Sequence, residues 1–153
     1  MIKVAKFGGS SLADAEQFKK VKKIIENDEN RRIVVVSAAG KRFKEDNKIT
    51  DLLYLCYAHI KYSVSYESMF SIIEKRYLEI RDQLGLKCNL ESEFRVIKSR
   101  MKKGMNRDYL VSRGEDLWKT LQSKNQRSWK NCEMLKHVSE VAVVKSFFRV
   151  SNI

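Results

Sequence analysis

Two short apolar runs near the amino terminus flank an amphipathic segment. The first run spans Lys3–Phe7, and the second, RIVVVS at Arg32–Ser37, is dense in β-branched residues, as expected of a strand buried on both faces. Between them, apolar residues recur at the spacing of one helix face, at Leu12, Ala15, Phe18, Val21 and Ile25. Two short strands joined through a helix lie parallel with a right-handed crossover. This order predicts an α/β sheet covered by helices on both sides.

Two adjacent glycines and two serines follow the first predicted strand, in the stretch KFGGSS. Ser11, with Asp14 three residues later, resembles a capping box, which predicts that the helix starts directly after the glycines. Such a turn suits an anion, because backbone N–H groups are exposed and the helix end is positive. Gly8 and Gly9 would admit a phosphate, and Lys6 would add a full positive charge. A tight turn capped by serine explains the same residues, and this spacing alone does not choose between the two.

A second small-residue loop, SAAGK, follows the second predicted strand, so Ser37 and Gly40 lie just past its carboxyl end. Open α/β sheets gather their ligands at this edge, where the loops behind parallel strands meet. The glycines match neither the GxxxxGK[ST] pattern of the P-loop nor the GxGxxG pattern of dinucleotide-binding folds. The two loops together still favour a phosphate site at the carboxyl edge of the sheet.

Beyond the second loop the apolar pattern predicts helices at residues 50–62, 66–84, 94–104 and 108–121. Gly114 lies inside the last of them, where glycine costs about 1 kcal/mol relative to alanine, so close packing or a nearby ligand is expected there. The residues predicted to face the core in the first two helices are Leu52, Leu53, Cys56, Ile60, Tyr66, Met69, Phe70, Ile73, Tyr77, Ile80 and Leu84.

The net charge of +12 is compatible with a polyanionic partner such as nucleic acid, or with anionic substrates such as nucleotides. The basic residues on the predicted helices have no interleaved aromatic residues, which favours solvated helix faces over a nucleic-acid surface. These residues are Lys19, Lys20, Lys22, Lys23, Lys98, Arg100, Lys102 and Lys103. A nucleic-acid partner is therefore disfavoured.

Cys56, Cys88 and Cys132 are too widely spaced for a metal or disulfide framework, so they are predicted to be free thiols in a reducing compartment. No run reaches the roughly 18 apolar residues of a membrane helix. The sequence therefore predicts a soluble, cytoplasmic protein without a membrane partner.

Three motifs in this order and spacing resemble the aspartokinase branch of the amino acid kinase family. They are KFGGSS, then VVVSAAGK followed by KITDLL, and then DYLVSRGE. Other branches, such as the glutamate, acetylglutamate and uridylate kinases, share the lysine and the glycines but usually lack the second serine and the SRGE element. The resemblance covers about residues 2–117 and implies a three-layer αβα amino acid kinase-like fold, present here in part.

The resemblance implies transfer of the γ-phosphoryl group of ATP to the side-chain carboxylate of L-aspartate, the first step toward lysine, threonine and methionine. The family lysine at the position of Lys6 stabilises the transferring phosphoryl group. The positions of Gly8, Gly9 and Ser10 line the phosphate site. A Mg²⁺ ion bridging the ATP phosphates is also implied, although the sequence shows no dedicated carboxylate pair for it.

The resemblance also implies a site for the amino acid substrate at Ser37, Thr50 and Glu115. Glu115 would hold the ammonium group of aspartate, and Arg113 would support its helix. A carboxylate substrate is already a nucleophile at neutral pH, so the chemistry needs positioning and charge neutralisation more than a strong base.

The chain departs from the family pattern after Glu115. Members run to about 400 residues or more, with a later glycine-rich segment that completes the ATP site and with regulatory ACT domains. Trp118 stands where small residues are expected, and SKNQRSWKNCEMLK does not supply the expected strand. We therefore expect an amino-terminal kinase portion at residues 1–117 and a divergent tail at 118–153.

These departures predict a truncated, frame-shifted product that is inactive alone and that forms an oligomer or associates with another kinase subunit. The alternative hypothesis is a basic nucleic-acid-binding or interaction module without catalysis.

Overall fold

A computed structural model describes residues 1–123 and 133–135. In chain order the strands and α-helices are β1 (Lys3–Lys6), α1 (Ala15–Glu26), β2 (Arg31–Val35), α2 (Ile49–Lys61), α3 (Glu67–Gln83), α4 (Leu90–Arg100), α5 (Arg107–Val111), α6 (Arg113–Ser123) and β3 (Glu133–Leu135). A short 3₁₀ turn at Gly9–Leu12 separates β1 from α1.

The sheet has three parallel strands in the order β1-β2-β3. Lys6 pairs with Val35, and the Phe7 N–H continues the ladder by donating to the Val35 carbonyl at 2.9 Å. The predicted parallel pairing of the first two strands is confirmed. Val34 and Val35, which point to opposite faces of β2, are both buried, as predicted for a strand covered on both sides.

Strand β3 corrects the prediction that SKNQRSWKNCEMLK contains no strand. Its three residues pair with β2, with Val34 opposite Met134 and Val35 opposite Leu135. A run of three residues carries too little alternation to be detected, and its hydrogen-bond partners lie about 100 positions earlier in the chain. The strand-like run VAVVKSFFRV at the carboxyl terminus lies outside the described residues.

Helix α1 begins later than the capping pattern predicts. The Asp14 side chain, not that of Ser11, is the cap, and it accepts a hydrogen bond from the Gln17 N–H at 2.9 Å. Ser11 belongs to the 3₁₀ turn, in which its N–H donates to the Gly8 carbonyl at 3.0 Å. The stretch between the glycines and the α-helix is therefore a tight turn of its own.

The remaining helices follow the apolar pattern with one exception. Helices α2 and α3 match the predicted segments, whereas α4 begins and ends earlier than predicted, at Leu90 and Arg100 and not at 94 and 104. Gly85, after α3, and Gly104, after α4, both have positive φ. The predicted helix at residues 108–121 is instead two helices, α5 and α6, which meet at Ser112. The apolar spacing continues across this junction, so periodicity could not reveal it.

Trp118 is fully buried, although the sequence suggested that so large a residue fits poorly there. Its ring stacks on Phe18 of α1, with centroids 4.6 Å apart, and its Nε1 donates to the Leu12 carbonyl at 3.4 Å. The indole therefore joins α6 to α1 and to the end of the 3₁₀ turn.

Several basic residues of the helices form ion pairs at the surface. Lys19 contacts Glu16 at 2.7 Å, and Lys98 contacts Glu74 at 3.0 Å and Glu67 at 3.3 Å. These contacts agree with solvated helix faces. None of the helices in the described part of the chain combines the length and the apolar character that a membrane-spanning segment needs.

Candidate functional site

The glycine loop extends from the carboxyl end of β1. The side chain of Lys6 is exposed and makes no hydrogen bond or ion pair with the residues that the structure describes. Gly8 is exposed and extended (φ −76°, ψ 172°), and a Cβ placed on it would meet no atom within 4 Å. The backbone at Gly8 is therefore open to a ligand, whereas its conformation does not require glycine.

The glycine loop and the second loop are in direct backbone contact. The Gly40 N–H donates to the Gly9 carbonyl at 2.8 Å. A Cβ on Gly40 would lie 2.5 Å from the Gly9 carbonyl carbon and 2.7 Å from the Ser10 nitrogen, and one on Gly9 would lie 3.0 Å from the Ala38 oxygen. Gly9 and Gly40 are thus explained by close packing of the two loops, which the sequence predicted would lie at the same edge.

The contact at Gly40 predicts different outcomes for two glycine substitutions. Gly40→Ala forces a methyl group into the backbone of Gly9 and Ser10, and we expect it to destabilise the fold by about 1–3 kcal/mol or more. Gly8→Ala, at an unobstructed position of ordinary φ, is the matched control and should change stability by less than about 1 kcal/mol. Urea unfolding followed by circular dichroism measures both, and equal midpoints would contradict the packing of the two loops.

The amino ends of α2 and α6 join the second loop. The Ile49 N–H donates to the Ala39 carbonyl at 3.0 Å. A Cβ on Gly114 would lie 2.8 Å from the Ala38 Cβ and 3.1 Å from the Ile49 Cγ2, so α6 approaches both elements through this glycine. The close packing predicted for Gly114 is confirmed.

This junction brings together the segments that carry the three residues predicted for the amino acid substrate. Ser37 directly precedes Ala38, Thr50 directly follows Ile49, and Glu115 directly follows Gly114. All three are partly exposed. The loop that holds Gly8, Gly9 and Ser10 contacts the same second loop, through Gly9 and Gly40.

Arg113 supports the start of α6, as expected. Its Nε donates to the Tyr109 carbonyl at 3.0 Å, its Nη1 lies 2.6 Å from Asp116, and its guanidinium stacks over the Tyr109 ring at 4.2 Å. Arg113 therefore ties α5 to α6 across the junction at Ser112.

The sequence pattern did not reveal a buried ion pair beneath the second loop. Arg76 of α3, 2% exposed, pairs with Asp46, 7% exposed, and donates to the carbonyls of Gly40 at 3.0 Å and Asn47 at 2.9 Å. Asp46 also accepts from the backbone N–H and the Nε of Arg42, at 3.0 and 2.9 Å. These hydrogen bonds hold residues 40–47 against α3.

Electrostatics at this pair favour the charged form of Asp46. Burial acts to raise the pKa of Asp46, but the hydrogen bonds from Arg42 and the charge of Arg76 outweigh it and hold that pKa well below its usual range. No signal in the sequence identified the pair, because the partners lie 30 positions apart and each follows an ordinary pattern.

Tyr77, the neighbour of Arg76 on α3, contacts the start of α6. The pattern predicted correctly that it is buried, but not what its hydroxyl binds. The hydroxyl donates to the Gly114 carbonyl at 2.6 Å. Burial raises the pKa of Tyr77, so this group remains a neutral donor.

Parallel strands whose carboxyl-end loops are in contact place the protein in the class of open α/β folds with a ligand site at that edge. The chain belongs to the amino acid kinase family, whose model matches residues 1–132. It is similar to aspartokinase 3 of Bacillus subtilis (strain 168), with 44% identity over 85 residues, which are 56% of this chain and 19% of that protein.

Solved aspartate kinases share its fold. The Clostridium acetobutylicum enzyme superposes with a TM-score of 0.77 at 45% identity, over 81% of this chain and 29% of that one. Aspartokinase III of E. coli, solved in complex with aspartate and ADP, superposes with a TM-score of 0.64 at 24% identity, over 84% and 29%. The predicted fold class, a partial αβα amino acid kinase-like fold, is confirmed. The chain spans less than a third of the length of these relatives.

Proposed function

We propose that the protein is an aspartate kinase-like chain that binds ATP and L-aspartate for transfer of the γ-phosphoryl group to the side-chain carboxylate. The observation that carries the proposal is the direct contact between the two loops, in which the Gly40 N–H bonds the Gly9 carbonyl. This contact supports the proposal because the loop of Gly8, Gly9 and Ser10 then touches the same second loop as the segments that carry Ser37, Thr50 and Glu115. Family membership and the similarity to aspartokinases support the same reaction.

In this proposal the phosphate half consists of Lys6, Gly8, Gly9 and Ser10. Lys6 is exposed at the end of β1, so its ammonium group is available to neutralise the oxygens of the transferring phosphoryl group. Gly8 leaves its backbone uncovered, and Ser10, an exposed residue, adds a hydroxyl.

The amino acid half consists of Ser37, Thr50 and Glu115. The Glu115 carboxylate would pair with the ammonium group of aspartate, while Ser37 and Thr50 offer hydroxyls to its carboxylates. Holding the substrate carboxylate in line with the γ-phosphorus supplies most of the rate, because the nucleophile is already ionised.

We propose that Mg²⁺ enters with the nucleotide and would neutralise phosphate charge when bound. Among residues 1–123 and 133–135, no group of three His, Cys, Asp or Glu side chains could hold a metal ion, so we assign the ion no protein ligands.

We place the activity in the cytoplasm, in the synthesis of lysine and related amino acids. We propose that the chain acts in an oligomer or together with a further kinase subunit.

Ligand binding tests this function without requiring turnover. We expect ADP with Mg²⁺, at about 100 times its dissociation constant, to stabilise the protein by about 2.7 kcal/mol in thermal melts. Lys6→Ala should remove most of this stabilisation, because it deletes the charge proposed to face the phosphates. Lys20→Ala, which changes an exposed lysine of α1, is the matched control and should leave this stabilisation unchanged. Neither change should alter the melting temperature without ligand.

Two outcomes would contradict the proposed function. One is a nucleotide effect that is absent, or equal in both lysine variants. The other is a steep salt-dependent affinity for RNA or DNA without any ADP effect, which would support the nucleic-acid alternative. We expect little ADP release from aspartate and ATP by these 153 residues alone.

A further inference from the structure

The guanidinium of Arg76 joins the two ends of the segment 40–47 in the second loop. Its Nη1 donates to the Gly40 carbonyl at 3.0 Å and to the Asn47 carbonyl at 2.9 Å, and its Nη2 pairs with Asp46. Arg76 is 2% exposed and belongs to α3. A buried side chain of one helix thus binds three groups of the second loop.

Gly40 links this side chain to the glycine loop. Its carbonyl accepts from Arg76, while its N–H donates to the Gly9 carbonyl at 2.8 Å. Gly40 also packs too closely on Gly9 and Ser10 to admit a Cβ. A change in the orientation of Gly40 therefore moves Gly9 or breaks the hydrogen bond between the two residues.

The segments of the proposed amino acid half have supports that do not involve Arg76. Thr50 follows Ile49, whose N–H donates to the Ala39 carbonyl at 3.0 Å. Glu115 lies at the start of α6, which packs directly on the same loop. Loss of the Arg76 hydrogen bonds should therefore act mainly on the phosphate half.

These hydrogen bonds need the shape of a guanidinium and not only its charge. The terminal nitrogens of a guanidinium donate in fixed directions from one plane, whereas the ammonium group of lysine is a compact charge on a flexible stem. The Nε of Arg76 is buried and makes no hydrogen bond with a described residue, so the two terminal nitrogens make all of these contacts. Arg76→Lys should keep a positive charge beside Asp46 and lose the orientation of Gly40.

We infer that Arg76 is a positioning residue for the phosphate half of the site, acting through Gly40 on the glycine loop. This inference rests on the proposed function for the identity of the ligand. It assigns Arg76 an effect on nucleotide binding that exceeds its effect on aspartate binding.

The test compares the whole chain as wild type, Arg76→Lys and two controls. Arg81→Lys is the matched control, because Arg81 is an arginine of the same helix whose ion pairs are with Asp82 and Glu91 and not with the second loop. Phe94→Leu removes part of a buried side chain of α4 and controls for a loss of stability alone.

Amide hydrogen exchange by NMR reports the position of Gly40 directly. The measured quantity is the exchange rate of the Gly40 N–H relative to that of the Phe7 N–H, which belongs to the sheet, so that changes in global stability cancel. We expect Arg76→Lys to raise this ratio about fivefold or more, because Gly40 is no longer held at its carbonyl. Phe94→Leu should leave the ratio within about twofold.

Titrations with ADP and Mg²⁺ and with L-aspartate then separate positioning from general loosening. We expect Arg76→Lys to weaken ADP binding about five- to tenfold and to leave aspartate binding within about twofold. Arg81→Lys and Phe94→Leu should change neither affinity by more than about twofold. If Arg76→Lys does not fold, the double variant Arg76→Met with Asp46→Leu, which removes both buried charges, takes its place with the same expected results.

Three results would overturn the inference. They are an unchanged exchange ratio in Arg76→Lys, equal weakening of both ligands by that variant, and weakening of ADP binding by Phe94→Leu to the same extent.

Failure of the proposed function gives a different result. If the wild-type chain binds no ADP while Arg76→Lys still raises the exchange ratio, the choice of ligand is wrong and Arg76 still positions Gly40. If wild type and Arg76→Lys bind ADP equally, the nucleotide is supported as the ligand and the positioning role is rejected.

Discussion

Replacing Trp118 with alanine should destabilise the fold by about 3–5 kcal/mol, the cost of truncating a fully buried aromatic residue. The substitution removes the stacking contact with Phe18 and leaves a cavity between α6 and α1. It also removes the hydrogen bond that Nε1 donates to the Leu12 carbonyl. Because single domains are stable by only about 5–15 kcal/mol, the loss is a large share of the total.

Urea unfolding at neutral pH, followed by far-ultraviolet circular dichroism, measures this effect. Tyr62→Ala is the control, since Tyr62 is 72% exposed at the end of α2 and should change stability by less than about 1 kcal/mol. A Trp118→Ala variant as stable as the Tyr62→Ala variant would show that α6 does not pack on α1.

The second large effect is expected at the buried ion pair. Asp46→Ala leaves the guanidinium of Arg76 buried without its counter-charge and should cost about 3–5 kcal/mol. Glu16→Gln is the control. It breaks an ion pair with Lys19 of 2.7 Å that lies at the surface, with both side chains more than half exposed, and should cost less than about 1 kcal/mol.

The same pair gives the protein an acid-sensitive component of stability. The pKa of Asp46 is lowered in the folded state, so the unfolded chain binds its proton at higher pH than the folded one. The stabilisation is therefore fully present above the usual aspartate pKa of about 4 and is lost as pH falls below it. Thermal melts between pH 7 and pH 3 should show a steeper loss for the wild type than for Asp46→Asn. Parallel curves for the two proteins would contradict this.

Local patterns in the sequence were sufficient for most of the elements and for the faces that they bury. The alternation of two apolar runs with a helical stripe predicted β1, α1 and β2 in parallel order, and the inward residues of α2 and α3 were identified from spacing alone. The placement of two loops at one sheet edge followed from the same order. These features succeed because periodicity within a dozen residues determines which surface an element buries.

The tertiary structure decided what depends on distant partners. It showed that Asp14 caps α1, that the segment after Gly104 forms two helices, and that three residues near position 134 extend the sheet. It also gave the buried partners of Trp118 and Arg76. None of these follows from local spacing, because each is fixed by atoms that come together only when the chain folds.

For the candidate site, the sequence alone determined which residue types are present and which strand ends carry them. The folded chain decided how they meet: Gly9 and Gly40 are packed against each other, Gly8 stays open, and the Tyr77 hydroxyl joins α3 to the start of α6. The physical reason is that residue identity fixes which contacts are chemically allowed. Whether two allowed groups come within hydrogen-bonding distance depends on the path of the backbone between them.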